Sequence, residues 1–272
     1  MRILLVCNRY KQSTQLVAEK LTEEIIGLGA GVEIDDGYNV STTSGCDIII
    51  VLGGDGTIIR AARTYGSFGI PMLGVNMGTV GFLTKIEIEE LHQPNLKRLL
   101  AGDYHIDERM MLNVEVFEDN RSVLSVSGLN DVVVRAVVPR MLSVGLEVSG
   151  QDLGIYRGDG LLVATPTGST AYSLSSGGPV CDPALGVFVV TPLASIHSSK
   201  RPLVINGEHK LIVSPIESDE TVICIDGQVR HEFRPGCRVE ISKSEHKLKL
   251  VDLNSIPFFA GLNERLGRIE NS

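Results

Sequence analysis

Up to residue 101 the apolar positions come in short runs separated by stretches of helical periodicity. Residues 2–7 form a compact apolar run. Ser13 is suited to cap a following helix that carries Leu16, Val17, Leu21 and Ile25. Residues 47–52 are a near-continuous Ile/Val run ending in glycines, the pattern of a strand buried on both faces of a parallel sheet. Residues 71–75 predict a further strand and residues 87–101 a helix. This β/α alternation implies a Rossmann-like open sheet, mostly parallel, with helices on its faces.

Beyond residue 102 the period shortens to two. Leu112, Val114 and Val116 alternate with Asn113, Glu115 and Phe117, as in a half-buried strand. Residues 147–153 and 225–229 predict hairpins around Ser149-Gly150 and Asp226-Gly227. Further β-rich runs lie at 129–134, 187–190, 211–213 and 248–253. The expected organisation is an α/β domain over residues 1–101 and a mainly β, sandwich-like domain over 102–253. A tail over 254–272 follows, in which residues 256–269 are expected to return to the first domain as a helix.

Composition narrows the class. The chain has 272 residues, of which 43% are hydrophobic and 21% charged, and this is ordinary globular usage. No apolar run approaches the roughly 20 residues that span a bilayer, and residues 1–7 are too short an apolar stretch for a secretory signal. Five scattered cysteines without a Cys-x-x-Cys pair point to reduced thiols and a cytoplasmic location. A formal net charge of −8 without any basic stripe argues against nucleic acid as a partner. Any anionic ligand must then be met by backbone N–H groups, single arginines or a metal ion.

The sharpest local feature is Gly53-Gly54-Asp55-Gly56-Thr57, between an apolar run and the helical pattern that contains Arg60. In an open α/β sheet this junction lies at the carboxyl end of a strand, where ligands bind. Glycines let the backbone approach a phosphate. A carboxylate placed there is suited to act as a general base or to position a metal; the same residues also suit a plain tight turn. The second feature is longer: Arg157-Gly158-Asp159-Gly160, a short strand, then Thr165-Pro166-Thr167-Gly168-Ser169-Thr170-Ala171-Tyr172-Ser173-Leu174-Ser175. It gathers small donors and acceptors near a ring that could stack on a purine, and it also suits a loop that caps a helix. The Lys of a Walker A loop is missing. A third feature is the polar pair Asn130-Asp131 interrupting a strand pattern.

In this order, the motifs Gly-Gly-Asp-Gly-Thr, Asn-Asp, Arg-Gly-Asp-Gly and Thr-Pro-Thr-Gly-Ser-Thr-Ala-Tyr resemble those of the NAD kinases over nearly the whole chain. Thr191-Pro192-Leu193-Ala194 and Arg201-Pro202-Leu203-Val204 fit as well. The resemblance implies transfer of a phosphoryl group to the 2′-hydroxyl of the adenosine ribose of NAD, giving NADP. ATP or polyphosphate would be the donor, and a divalent metal, usually Mg²⁺, would accompany it without an assigned protein ligand. It implies Asp55 as the proton acceptor and Gly56 and Arg60 beside the nucleotide. Asn130 and Asp131 would lie at the adenosine end, with Thr170, Ala171, Tyr172, Ser173, Leu174 and Ser175 around the dinucleotide. Arg157, Asp159, Ala194 and Gln228 are further NAD contacts by the same resemblance, and Arg140 is a looser basic match. A homodimer or homotetramer is implied too.

The chain departs from the pattern in two places. Asp131 stands where many members have Glu, so its carboxylate reaches about one methylene less. Ser195-Ile196 separate Ala194 from His197, so His197 is not carried over. Two other readings stay open at this point. One is a lipid or other small-molecule kinase sharing the glycine–aspartate turn, against which the 165–172 block speaks. The other is a non-catalytic NAD-binding sensor, which would have no need of Asp55. A dehydrogenase is disfavoured because Asn8-Arg9-Tyr10 replaces a Gly-x-Gly-x-x-Gly fingerprint after the first strand.

Overall fold

A computed structural model describes residues 1–7, 12–35, 45–78, 81–138, 140–197, 199–217, 221–255, 257–260, 262–263 and 266–267. The chain forms two compact units, Met1–Glu108 with Lys247–Ser272, and Arg109–His246.

The first unit opens with β1 (Arg2–Cys7), α1 (Gln12–Gly27), β2 (Gly31–Asp35), β3 (Ile48–Gly53) and α2 (Asp55–Tyr65). Then come β4 (Met72–Asn76), β5 (Ile86–Glu87) and α3 (Gln93–Ala101). The parallel strands lie in the order β4-β3-β1-β2, and β5 and Leu250 run parallel to β4. All six residues of β3 are buried, as its unbroken apolar run predicts for a strand covered on both faces. On α1 the buried stripe is Thr14, Ala18, Leu21 and Ile25, residues three and four apart. Leu16 sits two residues from Ala18 and therefore points outward, 56% exposed. Ser13 lies inside the helix and does not cap it.

The predicted 87–101 helix begins later. Glu87 ends β5, residues Ile88–Glu90 make a single 3₁₀ turn, and α3 starts at Gln93 behind an extended His92. Pro94 is the reason: lacking an N–H, it fits the first turn of a helix and would break a longer one. The Asn8–Tyr10 stretch lies outside the described residues, as do positions 256, 261, 264, 265, 268 and 269 of the tail expected as a helix over 256–269.

The second unit is β-rich: β6 (His105–Glu118), β7 (Arg121–Gly128), β8 (Asp131–Ala136), β9 (Leu142–Val148), β10 (Gln151–Gly158) and β11 (Gly160–Ala164) lead to α4 (Tyr172–Ser175). After α4 come β12 (Val187–Leu193), β13 (Leu203–Asn206), β14 (Leu211–Glu217), β15 (Thr221–Ile225), β16 (Val229–Phe233) and β17 (Cys237–Asp252). Six antiparallel strands form one sheet in the order β13-β12-β11-β8-β15-β16, and β9, β10 and β14 join β17 in another. Between them lies a core that includes Val132, Val134, Leu161, Val163, Phe188, Val144, Val213 and Val239.

Val133, Leu162, Ala164, Val189 and Leu193 point the other way into a second cluster with Cys181. The central strands are thus buried on both faces, which is why they read as apolar runs without alternation. Both predicted hairpins form, with positive φ at Ser149 and Gly150 and at Asp226 and Gly227. The architecture is an open α/β sheet followed by a mostly β domain, as expected.

Candidate functional site

In the first unit the chain leaves β1 toward β2 and leaves β3 toward β4 on the opposite side, so the carboxyl ends of β1 and β3 flank a topological switch point. Asp55 stands there, as the first residue of α2 directly after β3. Its carboxylate accepts the backbone N–H of Phe82 at 2.8 Å and that of Leu83 at 3.0 Å, one on each oxygen. An ionised carboxylate has about four lone-pair sites, so each oxygen keeps capacity for a further donor. Gly81 makes this clamp feasible, since a Cβ there would fall 2.0 Å from an Asp55 oxygen.

Gly56 is exposed, and Arg60 lies on α2 with its guanidinium 3.4 Å from the buried carboxylate of Asp35. Tyr65 donates its hydroxyl to the same Asp35 oxygen at 3.0 Å, and burial together with that negative charge pushes the phenol well above its usual range. Asp35 ends β2, so it is the neighbour that orients Arg60.

In the second unit a network forms around Asn130-Asp131. The pair sits where β7 has ended and β8 begins, which is why the strand pattern is interrupted there. The Asp226 carboxylate accepts the N–H groups of Leu129 at 2.9 Å, Asn130 at 2.7 Å and Asp131 at 3.1 Å. From the opposite side the Thr165 hydroxyl donates to the Leu129 carbonyl at 2.6 Å, and the Thr165 N–H donates to the Asn130 carbonyl at 2.8 Å. Gly168 packs so closely that a Cβ there would lie 2.0 Å from the Asn130 carbonyl oxygen.

With the backbone so fixed, Asn130 Oδ1 is buried and has no hydrogen-bond partner among the described residues. An orphaned buried amide oxygen costs stability in the absence of a donor. The Asp131 carboxyl is 5% exposed, and burial, then the Asp226 charge, raise its pKa to about 7.

Asn130, Asp131, Ala171, Tyr172 and Asp226 line a cavity of ≈ 370 Å³, closed on other sides by Val133, Arg135 and Cys224. A second cavity, of ≈ 530 Å³, is lined by Arg140, Asp159, Tyr172 and Ala194 together with Arg135 and Met141. Tyr172 and Arg135 border both cavities, and the tyrosine is 42% exposed. The structure therefore brings seven of the predicted residues around two adjoining hollows.

Others in the same block support the loop. Thr170 is buried and donates to the Thr167 carbonyl, and the buried Ser173 hydroxyl lies 3.1 Å from that of Thr191. Leu174 is half-buried and Ser175 exposed on α4, while Arg157 is exposed on β10 and Gln228 exposed in the β15–β16 turn. Ala194 adopts φ +45, a left-handed conformation for a non-glycine residue; its predecessor Leu193 accepts the Asp159 N–H at 2.9 Å. His197, not carried over, is exposed in the loop beyond. Sequence reasoning missed Asp226, which was seen only as a turn former, and also missed Gly81, Phe82 and Leu83. A backbone amide carries no mark in the sequence, so no signal pointed to the last two.

Residues 8–104 match the ATP-NAD kinase N-terminal domain and residues 129–253 the ATP-NAD kinase C-terminal domain. The chain belongs to the NAD kinase family. Among its relatives, the NAD kinase of Geobacter sulfurreducens is 42% identical over 222 residues, 81% of this chain and 78% of that one. That of Geotalea daltonii is 40% identical over the same shares of each chain. The NAD kinase of Ruminiclostridium cellulolyticum is 33% identical over 97% of both chains.

An NAD kinase from Archaeoglobus fulgidus, solved in complex with ATP, superposes with a TM-score of 0.80 over 98% of this chain and 99% of that one, at 28% identity. Yeast NADH kinase, solved with NADH, shares the fold with a TM-score of 0.88 over 98% and 87%, at 19% identity. The lipid-kinase and sensor readings are not favoured by family membership.

Proposed function

We propose that this chain is an NAD kinase that moves the γ-phosphoryl group of ATP onto the 2′-hydroxyl of the adenosine ribose of NAD, with Asp55 as general base. The observation that carries the mechanism is the seat of Asp55: a carboxylate fixed by two amides beside the sheet's switch point, with lone pairs to spare. The 2′-oxygen forms its bond to the γ-phosphorus as the bond from that phosphorus to the β-bridging oxygen breaks. ADP leaves, and the hydroxyl proton passes to Asp55. A general base contributes ~10²–10⁴-fold; the remaining rate comes from positioning and from charge neutralisation around the triphosphate.

The adenosine end of NAD is assigned to the cavity at Asn130 and Asp131. The unpartnered Asn130 Oδ1 is an acceptor suited to the exocyclic amine of adenine, and Tyr172 supplies a face for stacking. Gly56 and Arg60 are assigned to the nucleotide by their place on α2. Arg140, Arg157, Asp159, Ala194 and Gln228 are assigned to the rest of the dinucleotide, with Thr170 to Ser175 as the supporting loop. The working division is residues 1–101 for the Asp55 turn and 102–253 for NAD, with 254–272 as a tail.

Mg²⁺ ordinarily keeps several waters and is bound through one or two carboxylates plus substrate phosphates. The ion is assigned to the triphosphate, where it would neutralise phosphate charge. A homo-oligomer is supported by apolar side chains exposed at the second cavity, Val137 at 60%, Met141 at 57% and Ile196 at 60%. A reducing cytoplasm is supported by five scattered cysteines without a Cys-x-x-Cys pair. No helix among the described residues is long and apolar enough to cross a membrane.

The test is incubation of purified protein with NAD, Mg²⁺ and either ATP or polyphosphate, scoring 2′-phosphorylated product. NADP is expected with ATP. Asp55→Asn is expected to abolish its formation while NAD still binds by calorimetry, and turnover equal to that of the parent enzyme would remove Asp55 as base.

A further inference from the structure

The clamp on Asp55 is built from backbone amides, so it is only as well placed as the connection that carries them. That connection leaves β4 after Asn76 and returns at β5, and Asn76 and Glu87 are register partners in the parallel β4–β5 pair. Asn76 is 1% exposed. Its Nδ2 donates to both carboxylate oxygens of Glu87, at 3.1 and 2.8 Å, and to the Gly78 carbonyl at 3.0 Å. Its Oδ1 accepts the Gly78 N–H at 3.2 Å. Glu87 is held in turn: its carboxylate accepts the Glu90 N–H, and its own N–H donates to Glu90 Oε2 at 3.0 Å. The Met77 N–H donates to the Gly53 carbonyl at 3.2 Å, tying the same stem to the residue two before Asp55.

We propose that Asn76 and Glu87 are positioning residues for Asp55: they latch the two ends of the β4–β5 connection and so keep the Phe82 and Leu83 amides on the catalytic carboxylate. A buried asparagine spending both side-chain atoms on this stem is an expensive arrangement unless the geometry beyond it matters, because each polar group must be desolvated. Displacement of a reacting group by about 1 Å can lower a rate by about 10²-fold. The Phe82 and Leu83 amides hydrogen-bond Asp55, whereas the side chains of the latch hydrogen-bond each other and the stem, so loss of the latch acts on the chemical step and leaves the substrates' own contacts in place.

This inference rests on the reading of Asp55 as base, so Asp55→Asn is measured alongside. Asn76→Ala is expected to lower kcat by roughly 10–100-fold with KM for NAD and for ATP within about threefold of the parent. Glu87→Gln keeps the size of the side chain and one acceptor, folds, and is expected to lower kcat several-fold. Asn76→Asp places two carboxylates face to face and is expected to be the worst single change. The double exchange Asn76→Asp with Glu87→Gln restores a bond across the stem with its polarity reversed, and is expected to recover most of the lost kcat.

The latch is overturned if folded Asn76→Ala and Glu87→Gln turn over at the parent rate, if they lose only melting temperature, if KM rises in step with the loss, or if the double exchange recovers nothing. Retained turnover in Asp55→Asn overturns the base reading, and the latch with it. Loss in Asp55→Asn with full activity in both latch variants overturns the latch alone.

Discussion

The carboxylate of Asp226 accepts the backbone N–H of Asn130 at 2.7 Å, across 96 positions of sequence. Leu129 and Asp131 donate to the same carboxylate, so one side chain at the tip of the β15–β16 hairpin sets the path of the segment that presents Asn130 and Asp131 to their cavity.

Asp226→Ala leaves those buried N–H groups without acceptors, and each unsatisfied group costs ~1–3 kcal/mol. The expected outcome is a drop in denaturant midpoint together with at least a tenfold rise in KM for NAD, read from urea unfolding and steady-state kinetics. An unchanged KM in the folded variant would mean that the segment needs no such anchor.

Asp131 gives a pH signature. Its carboxyl titrates near pH 7 in the folded chain against an ordinary value of 3.8. Between those values the folded state keeps a proton that the unfolded chain has lost, so this group's contribution to stability falls as pH rises through the window and is flat above it. Asp131→Asn removes the titration. The stability of the variant relative to the parent is expected to climb between pH 4 and pH 7 by an amount on the order of a few kcal/mol at most, then level off. Thermal melts at one-unit pH intervals measure it, and a constant offset would contradict the burial of this carboxyl.

Gly168→Ala tests the closeness of the Thr165 loop to Asn130. The added methyl would meet a backbone carbonyl at 2.0 Å, which no side-chain rotation relieves. A loss of ~1–3 kcal/mol is expected, the usual cost of overpacking, together with weaker NAD binding because Asn130 is the atom group displaced. Calorimetric titration with NAD checks the second half.

Tyr172→Ala should spare the fold, since the ring is 42% exposed, and should raise KM for NAD about tenfold, as expected for loss of one aromatic stack of ~1–3 kcal/mol. Tyr172→Phe is expected to be close to the parent enzyme. Equal losses in both variants would shift the role from the ring to the hydroxyl.

The local elements were legible wherever one period dominated. The Ile/Val run before Gly53 had to be a strand covered on both faces, and Ser149-Gly150 and Asp226-Gly227 had to be hairpin turns, because their residue types allow little else. The start of α3 was misplaced because Pro94 tolerates a helix only behind it. The buried stripe of α1 was not legible in full because it contains a threonine, Thr14, while the apolar Leu16 lies outside it.

By itself the sequence determined which segments are strands and helices, which glycines and hydroxyls cluster along the chain, and where the acid of the glycine turn stands. These are consequences of local sterics and of hydrophobic spacing over a few residues. The tertiary structure decided which distant backbone amides meet Asp55, that Asp226 anchors Asn130, that Asn76 joins Glu87, and which residues of the 165–175 block face a cavity and which brace the loop. Amides are the same at every position, and a hydrogen bond across 27 or 96 residues exists only once the chain has folded.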